Sequence, residues 1–385
     1  MHFDFDEEVE RRGSGASKWD DGPADVLPMW VADMDFRTAP PVVDALQARV
    51  AHGVFGYAHL PEAYFEAVSG WQARRHRHYF TQEDMLVTSG VVPAITATLR
   101  ALTRPGDRVI LQPPVYNCFF SSIRNMGCGI EENALLLRAG RYEMDFDDLE
   151  RRAAHPDCRA LLLCNPHNPV GRVWSVEDLR RLHEICARHG VTVVSDEIHA
   201  DLTLPGQRHQ CYAALGPEVA ARSVTCLAAS KTFNLAGLQI ATIVAPDPTL
   251  RARINKALNV HEVCDVNPFG ISASIAAYTE GAAWHGALLR YLDENRRFAA
   301  DYLAEALPKL AFTPPEATYL AWLDARAWGE SAEALAARVL ARGRLRLTAG
   351  TAYGAAGEGF LRLNMACPRA RLEDGLTRLV TALRT

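Results

Sequence analysis

Short apolar segments alternate with longer amphipathic ones through the middle of this 385-residue chain. Segments of four to six mostly apolar residues predict buried strands at 85–88, 108–112, 159–164, 191–195, 223–228 and 240–245. Between several of them, residues at helical spacing predict helices at 91–102, 115–126 and 175–190. Strands that alternate with helices form parallel sheets. The pattern therefore predicts an α/β domain whose mostly parallel sheet is covered by helices.

The pattern changes after about residue 281. A long helix is predicted there, followed by strands mixed with two further helices, at 284–307, 318–324, 331–342, 345–349, 359–365 and the C-terminal end. The first 44 residues contain no comparable unit, so we expect them to pack with this α+β segment. The sequence thus predicts a large domain at 45–280 and a small domain formed by 1–44 and 281–385.

Charge and composition exclude several classes of protein. The chain has 41 basic and 46 acidic residues, a net charge of −5, and so lacks the basic excess typical of nucleic-acid binding. No apolar run approaches the ~18–20 residues that span a bilayer, and the N-terminus lacks the features of a signal peptide. Nine dispersed cysteines without a C-x-x-C pair predict neither disulfides nor a metal site. We expect a cytoplasmic protein that binds a small molecule.

Only four of the 41 basic residues are lysines. Lys18 and Lys256 are expected on the solvated surface, and Lys309 follows a proline at a helix end. Lys231 differs, because it comes shortly after a predicted buried strand and before a turn of small residues. The carboxyl end of a strand is where α/β enzymes place their chemistry.

Polar residues and glycine follow the predicted strands in an order that suits one cofactor. These positions are Gly90, the loop 165–169, the segment 196–199 and Ser230-Lys231. A lysine amine condenses with an aldehyde, and an aspartate at the end of an apolar strand requires a cationic partner. A helix N-terminus binds phosphate. Pyridoxal phosphate needs all of these groups.

Several motifs carry a resemblance to a known family. The runs AASKTFNLAGL, NPHNPVGR, SDEIHADL and FLRLNMACPR resemble the fold-type-I pyridoxal-phosphate enzymes of the class I/II aminotransferase superfamily. The segments LPMWVADMDF and GVFGYAHLPEAYFEAVSGWQARRH are similar to its cystathionine β-lyase subgroup of the MalY/PatB type. The resemblance covers nearly the whole chain and implies a seven-stranded sheet in the large domain.

The resemblance implies roles for residues around the cofactor ring. Lys231 would carry the cofactor and then remove the substrate's Cα proton, and Asp196 would pair with the ring nitrogen. Asn168 would donate to the phenolate oxygen, although NPHNP is also an ordinary turn sequence. His199 would either contact the cofactor or be a packed loop residue. Tyr116 would stack on the ring.

Further roles concern the phosphate and the substrate. The backbone of Gly90, Val91 and Val92, with the Ser230 hydroxyl, would bind the phosphate. Arg362 would hold the α-carboxylate and the Ala32 backbone would lie near the substrate, whereas Asp33 and Asp35 would organise their loop. Tyr57 would reach the phosphate from a neighbouring subunit, which implies a homodimer. Gln239 stands where many relatives carry an arginine, so phosphate binding would depend more on neutral donors.

The predicted reaction is β-elimination from L-cystathionine or a related cysteine S-conjugate, giving a thiol, pyruvate and ammonia. An aminotransferase remains an alternative, because both reactions use the same lysine, aspartate and arginine. A regulatory module without turnover is disfavoured, since only about 44 residues precede the large domain and leave no room for a DNA-binding segment.

Overall fold

The computed structural model describes residues 3–384. Its strands are β1 Leu27–Pro28, β2 Met85–Thr88, β3 Arg108–Leu111, β4 Gly129–Glu132, β5 Leu136–Arg138, β6 Arg141–Glu143, β7 Cys158–Cys164, β8 Thr192–Asp196, β9 Ser223–Leu227, β10 Ala241–Val244, β11 Ala311–Phe312, β12 Leu320–Asp324, β13 Leu345–Arg346, β14 Thr348–Ala349 and β15 Phe360–Asn364. The α-helices are α1 Ser17–Asp20, α2 Pro40–His52, α3 Glu62–His76, α4 Val91–Leu102, α5 Asn117–Asn125, α6 Phe146–Ala153, α7 Val176–Arg188, α8 Pro217–Ala220, α9 Pro248–Asn259, α10 Pro268–Glu280, α11 Ala282–Ala306, α12 Ala332–Gly343 and α13 Arg369–Leu383.

A seven-stranded sheet forms the centre of the molecule, in the order β2-β10-β9-β8-β7-β3-β4. β10 runs antiparallel to both of its neighbours, and the other pairs are parallel. The parallel strands β3, β7, β8 and β9 therefore end at the same edge. The predicted fold class, a mostly parallel sheet covered by helices, is confirmed.

Alternate residues of the central strands face opposite helical layers. In β7, Leu162 and Cys164 pack with α4, α5 and α9, whereas Leu161 and Leu163 pack with α6 and α7. Both faces are covered, which explains why these strands read as continuous apolar runs instead of alternating ones. Asp196 pairs in register with Cys164 at the carboxyl edge of the sheet.

A four-stranded sheet in the order β11-β12-β15-β14 forms the core of the C-terminal part, together with α11, α12 and α13. The N-terminal segment contacts both parts. β1 pairs in parallel with β13, while Phe5 and Phe36 pack in a cluster that includes Trp71 and Phe233.

Every strand predicted in the sequence has a counterpart within about two residues of its predicted bounds. Five strands were not predicted: the two-residue strands β1 and β11, the edge strand β4, and the hairpin of β5 and β6. The predicted strand 345–349 is interrupted, and its halves β13 and β14 belong to different sheets. Among residues 3–384, no helix combines the length and apolarity needed to cross a membrane.

Candidate active site

A cavity of about 250 Å³ opens at the carboxyl edge of the seven-stranded sheet. Most of the predicted site residues line it, namely Ala32, Gly90, Val91, Val92, Tyr116, Asn168, Asp196, His199, Ser230 and Lys231. They come from six separate segments of the chain. The topology therefore brings together the residues that the sequence places at strand ends.

Within residues 3–384, the Lys231 side chain forms one hydrogen bond in this cavity. Its Nζ donates to the Ala32 carbonyl at 2.6 Å, and the Tyr319 hydroxyl donates to the same oxygen at 2.9 Å. Burial, followed by the nearby Arg362 charge, lowers the pKa of Lys231 to about 8. An appreciable fraction of the amine is therefore neutral near neutral pH, which nucleophilic chemistry requires.

Asp196 is the last residue of β8 and is 3% exposed. Its Oδ1 accepts a hydrogen bond from the Ile198 amide at 3.1 Å. Burial raises the pKa of this carboxyl to about 7, and no ion pair within the described part of the chain involves it. A buried carboxylate in this state would be stabilised by a cationic ligand in the cavity.

Arg362 lies beside the cavity in β15, which is flanked by β12 and β14, and is 6% exposed. Its Nη2 donates to the Trp30 carbonyl at 2.7 Å, and its Nη1 donates to Asn168 Oδ1 at 3.3 Å. The guanidinium lies 4.9 Å from the centre of the Tyr353 ring. Buried Nε has no hydrogen-bond partner among residues 3–384. Arg362 is thus a fixed buried cation with donor capacity left for an anionic group.

His199 is 3% exposed, and its buried Nδ1 has no hydrogen-bond partner within the described chain. Burial, with the Lys231 and Arg362 charges, lowers its pKa to about 3. The imidazole is therefore neutral at physiological pH. One nitrogen remains available to a bound molecule.

The N-terminus of α4 forms one wall of the cavity. Gly90 precedes the helix with φ 152°, a backbone conformation that a side chain disfavours. The first amides of α4 have no capping side chain. Ser230 and Gln239 also line the cavity, without an arginine beside them in the lining. Unsatisfied amides at a helix N-terminus form an anion-binding site.

Sequence reasoning missed several residues around the site. Cys164 lines the cavity, and its Sγ accepts a hydrogen bond from the Asn168 amide at 3.3 Å. Tyr319 and Tyr353 support Lys231 and Arg362 from the C-terminal part. In the sequence both are aromatic residues within apolar stretches. Packing in the core would account for them as well as a role at the site would.

Tyr57 does not reach the cavity of its own chain. It is fully exposed, and Val50, Val54 and Phe55 in the same stretch are each more than half exposed. Such a run of exposed apolar side chains is typical of a protein interface.

One prediction about the lysines is wrong. Lys18 is 2% exposed, and its Nζ forms an ion pair with Asp35 at 3.0 Å. Arg11 bridges Asp33 and Asp35, each at 2.7 Å. Partners from distant segments surround Lys18, so its local polar sequence was a poor guide to burial.

Comparison with known proteins agrees with this geometry. The model of the family "Aminotransferase class I and II" matches residues 24–379. The cystathionine beta-lyase PatB of Bacillus subtilis is 45% identical over 99% of this chain and 100% of its own length. The protein MalY of Escherichia coli is 34% identical, with 99% of each chain covered.

Solved structures show the same likeness. The crystal structure of cystalysin from Treponema denticola, which contains a pyridoxal 5'-phosphate cofactor, has a TM-score of 0.97 and 33% identity. The match extends over 100% of the present chain and 99% of the cystalysin chain. The protein described here therefore belongs to the class I and II aminotransferase family.

Proposed function

We propose that this protein is a pyridoxal-phosphate-dependent carbon–sulfur β-lyase. In this proposal it acts in the cytoplasm and cleaves L-cystathionine or a related cysteine S-conjugate to a thiol, pyruvate and ammonia. One observation carries the proposal: a single cavity is lined by Lys231, Asp196 and Asn168, and the buried cation Arg362 contacts Asn168. The names of the full-length relatives PatB and cystathionine β-lyase from Corynebacterium glutamicum favour elimination over amino transfer.

The residues fit the cofactor in three respects. Asp196 is a buried acid that forms no ion pair among the described residues, which suits a protonated ring nitrogen. The amides of Val91 and Val92, with Gly90 before them and Ser230 nearby, suit the phosphate. Asn168 and His199 have polar groups for the ring oxygen, and Tyr116 supplies an aromatic face.

When bound, pyridoxal phosphate supplies an aldehyde that links covalently to amines and a ring that accepts the electron pair of a broken Cα–H bond. The neutral fraction of Lys231 serves first as a nucleophile. Its amine then accepts the Cα proton, and Ala32 O positions it through the 2.6 Å hydrogen bond. Tyr319 shares that carbonyl and so fixes the acceptor.

Arg362 orients the substrate. The Trp30 carbonyl and the Tyr353 ring hold its guanidinium, and the unpartnered Nε faces no competing acceptor among the described residues. Binding of the α-carboxylate there fixes the amino acid with respect to Lys231. Because a planar guanidinium binds a carboxylate through two parallel hydrogen bonds, it also restricts rotation of the substrate.

The proposal includes a homodimer. The exposed stretch around Val54, Phe55 and Tyr57 would be covered by a second copy, and Tyr57 of the partner subunit would complete the phosphate site. We also retain the predicted domains, 45–280 as the large domain and 1–44 with 281–385 as the small domain.

A panel of cysteine thioethers tests the reaction. Pyruvate, ammonia and thiol should be released in equal amounts from L-cystathionine or another member of the panel, and amino transfer to 2-oxo acids should be minor. Robust amino transfer without pyruvate release from any thioether would establish the aminotransferase alternative instead.

A further inference from the structure

A second cavity lies at the opposite end of helix α4, far from the candidate active site. Its volume is about 700 Å³, within the range of ~300–1,000 Å³ that small-molecule sites occupy. The N-terminus of α4 lines the active site and its last residues, Ala101 and Leu102, line this cavity. With 12 residues in the helix, the two sites are separated by about 18 Å along its axis.

The charge of this α4 C-terminal cavity is opposite to that of the whole chain. Among the described residues that line it are five cations, Arg100, Arg104, Arg159, Arg253 and Lys256, and one carboxylate, Asp107. The local formal charge is thus +5 − 1 = +4, whereas the chain carries −5. A concave surface with charges of one sign concentrates counter-ions.

Part of this charge has a structural use. Arg253 donates to the Ala101 carbonyl at the end of α4, where cations are favourable. Arg159 pairs with Asp107 at 3.3 Å, and Arg100 Nη1 contacts His261 Nε2 at 2.5 Å. These contacts account for three of the five cations.

The remaining two cations have no such role. Within residues 3–384, the side chains of Arg104 and Lys256 form no ion pair or hydrogen bond. Arg104 belongs to the loop after α4, and its backbone amide donates a hydrogen bond to Asp107 Oδ2 at 2.7 Å. Lys256 is on α9 and also lines the cavity. Two cations without an ion pair among the described residues thus line a concave surface that also carries three other cations.

We propose that the α4 C-terminal cavity binds a small anion with two or more phosphate groups, such as the oligophosphate chain of a nucleotide. Arginine forms paired hydrogen bonds with phosphate, and lysine binds it as a point charge. The cavity volume accommodates a nucleoside as well as its phosphates. The site is separate from the proposed cofactor phosphate site, because the body of α4 lies between them.

Calorimetric titration of the cofactor-loaded protein with inorganic triphosphate tests this site. Loading keeps the cofactor phosphate site filled, so heat of binding reports on the second site. The expected result is saturable binding that weakens as ionic strength rises. Absence of saturable binding up to about 10 mM would overturn the proposal.

Paired variants locate the site. Arg104→Ala with Lys256→Ala should weaken binding about tenfold or more, because two charge-assisted contacts are lost. The control is Arg138→Ala with Arg151→Ala, which removes the same charge from two exposed arginines outside the cavity. Equal weakening in both double variants would contradict a specific site. Pyruvate release without triphosphate should be unchanged in the cavity variant, so the outcome is independent of the proposed reaction.

Titration with ATP distinguishes the two sources of phosphate. Tighter binding of ATP than of triphosphate indicates that the cavity also contacts the nucleoside. Equal affinity indicates recognition of the phosphate chain alone. Binding of ATP that survives loss of Arg104 and Lys256 would overturn the proposal.

Discussion

Two aspartates in this protein are equally buried but differ in their surroundings. Asp35 is 2% exposed and Asp196 is 3% exposed. Three cations face Asp35, with Arg11 at 2.7 Å, Lys18 at 3.0 Å and Arg371 at 3.4 Å. The Trp19 indole also donates to it at 2.9 Å. Asp196 accepts one backbone hydrogen bond and has no ion pair among the described residues.

The difference in partners gives the two carboxyls opposite pKa shifts. Burial alone would raise the pKa of Asp35, but Lys18, Trp19, Arg371 and Arg11 together lower it. Burial dominates at Asp196 and raises its pKa to about 7. A buried carboxylate with protein cations around it is part of the structure, whereas one that faces an open cavity without them is suited to a cationic ligand.

The largest expected effect is on turnover. Asp196→Asn should lower pyruvate release by about 10²- to 10³-fold, because the ring nitrogen loses its anionic partner. The cofactor-free variant should be as stable as the parent protein, or more stable, at pH 7–8, since a desolvated charge is removed. Initial rates and thermal denaturation measure both quantities. A variant that loses stability together with activity would indicate a structural role.

Asp35→Asn should have the opposite profile. Lys18 would be left buried without its close partner, so the free energy of unfolding should fall by about 3–5 kcal/mol. Urea denaturation measures this change, and turnover of the folded fraction should be nearly unchanged. Asp33→Asn is the matched control. Its side chain is 22% exposed, so its loss should cost about 1 kcal/mol or less.

Stability should depend on pH in opposite directions at the two sites. In the cofactor-free protein Asp196 keeps its proton while the unfolded chain ionises. Its contribution to the free energy of unfolding is therefore complete below about pH 4 and is lost as pH rises to about 7. The loss is on the order of 4 kcal/mol, at about 1.4 kcal/mol per pKa unit. Asp35 has a lowered pKa, so it stabilises the folded protein above about pH 4 and this stabilisation is lost as pH falls below that value.

The free energy of unfolding is measured at a series of pH values from about 3 to about 8 for the parent protein and each Asn variant. The difference between parent and variant at each pH isolates the contribution of that aspartate. If both differences have the same sign of pH dependence, the contrast between the two aspartates is incorrect.

Arg362→Lys should have the smallest effect of the series. The substrate keeps a positive partner but loses the planar fork, so kcat/KM should fall about tenfold, mainly through KM. Steady-state kinetics on the preferred thioether measure the change. Arg326→Lys serves as the control, since that side chain is 55% exposed and pairs with Asp324. An unchanged KM for Arg362→Lys would place the carboxylate elsewhere.

Much of the fold was readable in the sequence because the central strands are continuous apolar runs. The ends of β7 and β8 supplied Asn168 and Asp196, and strand order then brought them to one edge. β4 was missed because its sequence, Gly-Ile-Glu-Glu, lacks an apolar run. Its acidic residue Glu131 is compensated by Arg108 and Arg152, which no local pattern reveals.

The surroundings of the site were less predictable, because they too depend on contacts between distant segments. Lys18 is buried by partners 15 or more residues away, and Tyr353 contacts Arg362 through the four-stranded sheet. Local sequence gives the chemical type of each residue and its place on an element. Burial and pairing depend on distant segments.

Covalent labelling tests the central claim most directly. The chain has four lysines, so borohydride reduction of the cofactor-loaded protein followed by peptide mass spectrometry can assign the attachment site without ambiguity. We predict the pyridoxyl phosphate mass on the peptide that contains Lys231, and none on those with Lys18, Lys256 or Lys309. Absence of an adduct, or an adduct at another lysine, would contradict the proposed active site.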